Sequence, residues 1–191
     1  MSRLPLRTIE DAPEEAKAAL ATAEKNNGYL PNLLRVLANA PVALETYLTV
    51  SGINARSSLS LAEREAVQIT AAATHDCGFC VAGHSAIADK RAKLDHGVID
   101  ALRSKSTVGD ARLDAVARFT EAVIASRGDV ADTSLAAFKQ AGFDDQAALE
   151  VVLGVSLATL CNFANNLGQA PLNPQMETYR WEPEAIAAAA E

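Results

Sequence analysis

Helix start and stop signals recur along this chain, and they constrain its fold more than any other feature. Pro13, Pro31 and Pro41 stand where helices can begin, because proline is tolerated in the first helical turn and breaks a helix elsewhere. Gly28 is placed to end the first segment with a left-handed cap. No stretch of useful length alternates apolar and polar residues as a strand would. The sequence therefore predicts an all-α fold with short connections.

Composition narrows the class of protein. Only 5% of the residues are aromatic and alanine is abundant, which favours closely packed helices. With 191 residues the chain is long enough to bury a proper core. We therefore predict a single domain over 1–191, with a motif-bearing core at 30–90 and a tail at 170–191. The net charge of −7 at pH 7 argues against nucleic acid and anionic membranes as partners.

We expect no secretory signal at the amino terminus and no membrane anchor in the alanine-rich tail. Residues 1–7 have no apolar run of the kind found in secretory signals. We expect no apolar stretch long enough to cross a bilayer, and we expect the alanine run 187–190 to be a helical tail and not an anchor. From these expectations we predict a cytoplasmic protein. In the cytoplasm a CxxC pair is more often catalytic or metal-binding than a structural disulfide.

Two successive helices are expected in the middle of the chain. The first, over 61–74, begins at a capping box formed by Ser60 and Glu63, so Glu63 needs no catalytic role. Glu65 lies beside the apolar stripe of this helix and away from its charged face. Asp76 is expected to cap the next helix, over 77–90. Further helices are expected after Asp95 and Asp110, before Gly142, and over 145–167, where the sequence is long and apolar.

Cys77, Cys80 and His84 have the residue types and the spacing of a thiol redox site. If Cys77 begins a helix, the three lie on one stripe, and the two thiols are close enough for a disulfide across the first turn. The N-terminus of a helix favours thiolate over thiol. Glu65 comes from the preceding helix, and a short corner at 75–76 would pack the two helices antiparallel. The inferred proton relay runs from Glu65 to His84 to Cys80, with a water possible at either link.

The string E-x11-C-x2-C-x3-H resembles the AhpD-like (alkylhydroperoxidase D) branch of the carboxymuconolactone decarboxylase family. The resemblance is most specific over 30–90, where Leu30-Pro31-Asn32-Leu33 precedes the string, and the rest fits by helical character. It implies an all-α AhpD-like fold, with antiparallel helices around the helix amino terminus that carries the CxxC motif. It also implies a homo-oligomer, a trimer or hexamer of intertwined subunits.

The same resemblance implies a thiol-dependent peroxidase. Carried over by motif position, Cys80 attacks the hydroperoxide and Cys77 resolves the sulfenic acid to a redox-active disulfide. Glu65 and His84 form the relay. No metal or organic cofactor is implied, and the reductant is a dithiol or a lipoylated protein. Phe79 stands where the founding sequence has a histidine, which leaves the reductant open; His75, on the other side of the corner, could substitute in part.

Three other functions compete with the peroxidase. The thiols and His84, with Glu65 or Asp76, could form a structural zinc site, although the second paired motif typical of such sites is missing from the sequence. A decarboxylase-type lyase acting on a lactone acid rests on the family name, and a redox dithiol counts against it. A redox-responsive oligomer with little catalysis is the third.

The other candidate residues are interpreted as structural. Cys161 lies in an apolar helix and is expected to be a buried small hydrophobe. Asn162, Asn165 and Asn166 are expected to be packing or interface residues on the same helix. Trp181, the only tryptophan, is expected to anchor the tail, either to its own chain or to a neighbouring subunit. His96 is expected at the surface.

Overall fold

The computed structural model describes residues 2–183, and within that range it contains α-helices, one 3-10 helix and no strand. The all-α prediction is confirmed. The alanine run 187–190 and the end of the predicted tail lie outside the described residues. The helices are α1 (Glu14–Asn27), α2 (Asn32–Leu37), α3 (Pro41–Asn54), α4 (Leu61–Thr74), α5 (Gly78–Lys90), α6 (His96–Arg103), α7 (Ala111–Ser126), α8 (Asp132–Gln140), α9 (Asp145–Gly168) and the 3-10 helix Pro174–Tyr179.

Helix α4 lies at the centre of the fold and packs against α5, α6, α7 and α9. It begins at the predicted capping box, in which Ser60 Oγ accepts from the Glu63 backbone and the Glu63 carboxylate accepts from the Ser60 backbone. Glu63 is also paired with Arg112 at 2.8 Å, so this buried carboxylate holds α7 against α4 as well as capping the helix.

Helix α9 packs closely on α4 because Gly154 has no side chain. A Cβ at this glycine would lie 2.9 Å from Cγ1 of Val67, closer than real Cβ contacts come. Gln68 also donates to the Gly154 carbonyl at 2.9 Å. The close approach brings the C-terminal half of α9 beside the end of α4 and the start of α5.

Two large buried apolar clusters fill most of the interior, and a small third one joins Ala82 of α5 to Met176 and Tyr179. One lies among α4, α6, α7, α8 and α9 and contains the stacked rings of Phe119, Phe138 and Phe143, with centroids 4.3 and 4.4 Å apart. The other is formed by α1, α2, α3, the end of α4, the start of α5 and α9, and it contains all three cysteines. The thiols are therefore part of the core.

Helix α9 corrects one expectation from the sequence. Among the described residues it is long and apolar enough to cross a membrane by length and composition, and 39% of its most apolar window is buried. The expectation that no segment reaches that length was wrong. The helix packs against α2, α3, α4 and α7 inside the protein. It also exposes Leu149, Phe163 and Leu167.

Candidate active site

The two thiols of the CxxC motif meet at the start of α5. Cys77 is the N-cap residue and Cys80 lies in the first turn, with the two Sγ atoms 2.7 Å apart and both thiols free. Asp76 has a left-handed φ of 53°, and the cap position belongs to Cys77, so the prediction that Asp76 caps this helix was wrong. Both cysteines are buried, Cys77 at 0% and Cys80 at 4% exposure.

The two thiols differ in acidity. The hydrogen bond with Cys80 lowers the pKa of Cys77 against the opposing effect of burial, and the Cys80 backbone, Asn165 and His84 lower it further. Burial raises the pKa of Cys80 well above its usual value, and the neighbouring Cys77 raises it further. Negative charge in the reduced pair therefore resides on Cys77, as expected for a cysteine at a helix N-terminus.

Glu65 and His84 form the first link of the predicted relay. Nδ1 of His84 donates to Oε2 of Glu65 at 2.7 Å, across the packed faces of α4 and α5. The Glu65 side chain is 8% exposed and that of His84 is 27% exposed. Burial opposes protonation of His84, but the charge and hydrogen bond of Glu65 and the charge on Cys77 raise its pKa. The pair can thus hold a proton beside the dithiol.

The second link of the relay is not a direct hydrogen bond. Within residues 2–183 the His84 ring makes its hydrogen bond to Glu65 and none to either sulfur. Since Nδ1 is used by Glu65, Nε2 is the nitrogen left for proton exchange. A water between Nε2 and a sulfur would complete the relay in the form that the sequence analysis allowed.

Helix α9 brings Asn162 and Asn165 close to the dithiol. The sequence analysis assigned both residues to packing or to an interface. Asn162 and Asn165 are 1% and 6% exposed, and their side chains lower the pKa of Cys80 and Cys77 respectively. Cys161 is the expected buried thiol, and burial with the nearby Cys77 raises its pKa to about 12. The only sequence signal for the amides was the group of three asparagines near the end of a mostly apolar helix.

Tyr47 of α3 is a further residue that the sequence reasoning missed. It packs against the cluster that holds the thiols. Burial raises the pKa of its hydroxyl, and negative charge on Cys161, Cys80 and Glu65 adds to that effect. No motif surrounds Tyr47, so nothing in the sequence pointed to it.

The strap, residues 170–183, covers the start of α5. The Trp181 side chain packs in the cysteine-containing cluster, and its carbonyl oxygen would lie 2.6 Å from a Cβ on Gly78. The Tyr179 hydroxyl donates to Asp89 of α5, which fixes the strap further along the same helix. Of the two expectations for Trp181, packing on its own chain is the one observed.

The upstream motif at 30–33 holds the other end of the strap. The Asn32 backbone donates to Oδ1 of Asn173 at 2.8 Å, and the Asn32 side chain donates to the Pro171 carbonyl at 3.0 Å. Asn32 of this upstream motif is thus connected to the site by the strap.

The remaining candidate residues are placed as follows. Nδ1 of His75 lies 3.0 Å from Oδ1 of Asn162, so His75 reaches the site through α9 and not beside Phe79. Phe79 packs between the thiol cluster and the strap. His96 is exposed at the start of α6. In the part of the chain that the structure describes, no three His, Cys, Asp or Glu side chains are grouped to hold a metal ion.

Several proteins of known structure share this fold, and one family model matches part of the sequence. A family model described as "Carboxymuconolactone decarboxylase family" matches residues 41–122. A peroxidase-related protein from Ralstonia eutropha JMP134, described as an alkylhydroperoxidase AhpD core, superposes with a TM-score of 0.82 at 22% identity, covering 92% of this chain and 94% of that chain. A peroxidase-related protein from Silicibacter sp. TM1040 gives 0.78 at 17% identity, covering 93% and 94%.

A debrominase is also similar in structure. Its apo form gives a TM-score of 0.73 at 16% identity, covering 92% of this chain and 94% of that chain. A cysteine-to-alanine variant of it binds 2,3,4-tribromopyrrole. No curated protein matches the sequence. The fold is thus AhpD-like. Residues 41–122 match the model of the carboxymuconolactone decarboxylase family, in agreement with the resemblance seen in the sequence.

Proposed function

We propose that this protein is a thiol-dependent peroxidase that reduces hydroperoxides with the Cys77–Cys80 dithiol. One observation carries the proposal: two free sulfurs 2.7 Å apart lie beside a partly buried Glu65–His84 pair that can hold a proton. Family membership and the peroxidase-related structures support it. The site needs no metal or organic cofactor for this reaction.

The reaction balances with these groups alone. The Cys80 thiolate attacks one peroxide oxygen, the O–O bond breaks, and the alkoxide takes a proton from His84 to leave as an alcohol. His84, now neutral, takes the proton of Cys77; the Cys77 thiolate attacks the sulfenic sulfur of Cys80, the S–O bond breaks, and the hydroxide takes that proton and leaves as water. Two electrons pass from the dithiol to the peroxide, and an external dithiol or lipoylated protein must return them. Such a donor fits the cytoplasm, where we place the protein.

Cys80 becomes the attacking thiolate only after its proton moves. In the resting pair the charge resides on Cys77, and burial holds the Cys80 proton in place. With the sulfurs 2.7 Å apart, the proton can shift from Cys80 to Cys77 without either side chain leaving its position. Cys80 is also the more exposed of the two residues, at 4% against 0%.

A stopped-flow peroxide titration of the reduced protein tests the proposal, with mass spectrometry of each cysteine. We expect one disulfide per peroxide, no consumption by Cys80→Ser, and a trappable sulfenic acid on Cys80 in Cys77→Ser. Cys161→Ser is the matched control and should behave as wild type. Full activity in Cys80→Ser would refute the assignment, and a sulfenic acid on Cys77 in that variant would reverse the two roles.

Reductive dehalogenation is a second candidate, favoured by the similar debrominase structure. It would use the same dithiol: a carbon–bromine bond becomes carbon–hydrogen, bromide leaves, and the disulfide forms. Bromide release from a brominated pyrrole by the reduced protein, without turnover of peroxide, would select it. The lyase alternative predicts activity on a lactone acid that survives replacement of both cysteines. The redox-responsive alternative predicts a change of assembly on oxidation without turnover.

We also propose that the protein forms a homo-oligomer, a trimer or hexamer. The exposed side chains of Leu149, Phe163 and Leu167 on α9 support this proposal, since apolar groups on one helix are often covered by another subunit. Light scattering on the reduced and oxidised protein measures the subunit number. A monomer in both states would refute the proposal.

A further inference from the structure

Helix α9 presents two buried amides to the dithiol. Asn162 and Asn165 lie three residues apart, the same separation as Cys77 and Cys80 on α5. Both amides are more than nine-tenths buried. An asparagine in an apolar interface must be desolvated, so its polar groups need partners there. The matched spacing allows one amide for each sulfur.

The orientation of Asn162 follows from its contact with His75. Oδ1 of Asn162 lies 3.0 Å from Nδ1 of the ring, and because a carbonyl oxygen can only accept, Nδ1 of His75 must donate. The amide nitrogen of Asn162 is then left to donate elsewhere, and the Asn162 side chain lowers the pKa of the nearby Cys80 thiol. Edge contact with Phe163, at 5.0 Å between centroids, helps to fix the His75 ring.

Asn165 lies near the Cys77 thiol and has an unpaired oxygen. Its side chain lowers the pKa of Cys77, while its Oδ1 is buried and has no hydrogen-bond partner within residues 2–183. A residue kept for packing alone would be replaced without loss by an apolar one, because the unpaired oxygen carries a desolvation penalty. Donation from the Asn165 amide nitrogen to the Cys77 thiolate is the role that accounts for a polar residue at this position.

We propose that Asn162 and Asn165 each donate a hydrogen bond to one sulfur of the dithiol and stabilise it as a thiolate, with His75 as the positioning residue that fixes the Asn162 amide. This inference deepens the proposed dithiol function and rests on it. The amides act on the reduced form, because a disulfide has no negative charge to receive their hydrogen bonds. They therefore favour the dithiol over the disulfide and make the disulfide a stronger oxidant.

Cysteine-resolved alkylation as a function of pH tests the inference without any peroxide. We expect Asn165→Ala to give about tenfold less Cys77 thiolate at a fixed pH below its pKa, since hydrogen bonds to charged groups are the stronger class. Asn162→Ala should act in the same direction on Cys80. His75→Gln should have a smaller effect, confined to Cys80. The other titratable groups around the pair are left intact in these variants: Tyr47 of α3, Glu65 of α4, His84 of α5 and Cys161 of α9.

Asn166→Ala is the matched control. Asn166 is exposed on the same helix and donates to the His75 backbone carbonyl, so its loss should leave both thiols unchanged. Asn165→Asp keeps the side-chain shape but places a carboxylate against Cys77, and it should suppress the thiolate more than alanine does. This variant keeps the inference testable if Asn165→Ala does not fold.

Equilibration in glutathione redox buffers gives a second readout that a purely structural role would not move. Both alanine variants should hold the disulfide at more reducing potentials than wild type. Unchanged thiolate fractions in both variants, or an equal change in Asn166→Ala, would overturn the inference. If wild type consumes no peroxide but the alkylation changes appear, the peroxidase proposal fails and the amide–sulfur assignment stands.

Discussion

Replacing the Glu65 carboxylate by an amide should lower the pKa of His84. Glu65→Gln keeps the shape of the side chain and an oxygen that can accept from Nδ1 of His84, 2.7 Å away, but removes the negative charge. Burial opposes the protonated imidazole, so the elevated pKa of His84 depends on Glu65, with a contribution from Cys77. The substitution therefore removes charge while leaving the geometry in place.

The size of the effect follows from the kind of hydrogen bond. A hydrogen bond to a charged group contributes about 1.5–3 kcal/mol and a neutral one about 0.5–1.5 kcal/mol. The difference corresponds to a fall of roughly one unit in the pKa of His84. Because the His84 side chain is only 27% exposed and that of Glu65 only 8%, solvent screening removes a minor part of it.

Glu65→Gln should also change the stability of the folded protein, by an amount that depends on pH. The pKa of His84 is raised in the folded protein, so its contribution is fully present below the unfolded pKa of about 6.5 and is lost as pH rises through the folded pKa. Glu65→Gln should therefore destabilise the protein most at mildly acidic pH. The difference from wild type should shrink as the solution becomes alkaline.

Proton NMR titration of the imidazole signals measures the effect directly. The chain has three histidines, so His75 and His96 serve as internal references. Glu63→Gln is the matched control: this buried carboxylate lies on the same helix but pairs with Arg112 at 2.8 Å, so its loss should cost stability and leave the pKa of His84 unchanged. An unchanged pKa in Glu65→Gln, or an equal fall in Glu63→Gln, would refute the reasoning.

Two further predictions concern glycines. Gly78→Ala places a Cβ 2.6 Å from a carbonyl oxygen of the strap, so it should displace the strap and speed alkylation of the dithiol; Gly83→Ala, whose Cβ meets only an ordinary contact, should not. Gly154→Ala meets Val67 at 2.9 Å and should destabilise the fold by about 1–3 kcal/mol in denaturant unfolding. Gly52→Ala meets nothing within 4 Å and should stabilise α3 by about 0.5–1 kcal/mol. Equal effects of test and control in either pair would contradict the packing described here.

Local signals were enough to predict most helices. The capping box at Ser60 and Glu63 predicted a helix over 61–74, and α4 has these bounds. Asp110 was predicted as a cap, and its side chain accepts from the first turn of α7. The prediction for Asp76 was wrong, although an aspartate just before a helix often caps it. Here the backbone of Asp76 is left-handed and Cys77 takes the cap position. Which of two adjacent residues caps depends on the corner between α4 and α5, which the sequence pattern does not specify.

The difference between local signals and long-range packing also explains which site residues could be predicted from the sequence. Glu65 and His84 could be paired from sequence, because a short corner folds their two helices back on each other. Asn162 and Asn165 could not, since they are far along the chain and reach the thiols only through the packing of α9 on α4. That packing depends on Gly154, whose role is visible only once Val67 lies against it. Long-range contacts of this kind leave no periodic signal at the residues concerned.

The distribution of charge in the dithiol leads to a last prediction, on Cys80 itself. The pKa of Cys80 is raised first by burial and then by the neighbouring Cys77. Cys77→Ser removes the neighbouring negative charge and supplies a hydroxyl that can donate to the Cys80 thiolate. Cys80 should therefore alkylate faster at neutral pH in this variant than in wild type, while burial keeps its pKa above that of a free cysteine.

Cys161→Ser provides the comparison, because it removes another buried thiol of the same cluster without breaking the contact between Cys77 and Cys80. It should change the alkylation of Cys80 much less than Cys77→Ser does. Slower alkylation of Cys80 in Cys77→Ser would mean that transfer of the Cys80 proton to Cys77 matters more to the reactivity of Cys80 than the repulsion between the two thiolate charges. Loss of the proton acceptor would then lower the reactivity of Cys80 more than removal of the charge raises it. Attack by Cys80 would in that case require an acidic Cys77.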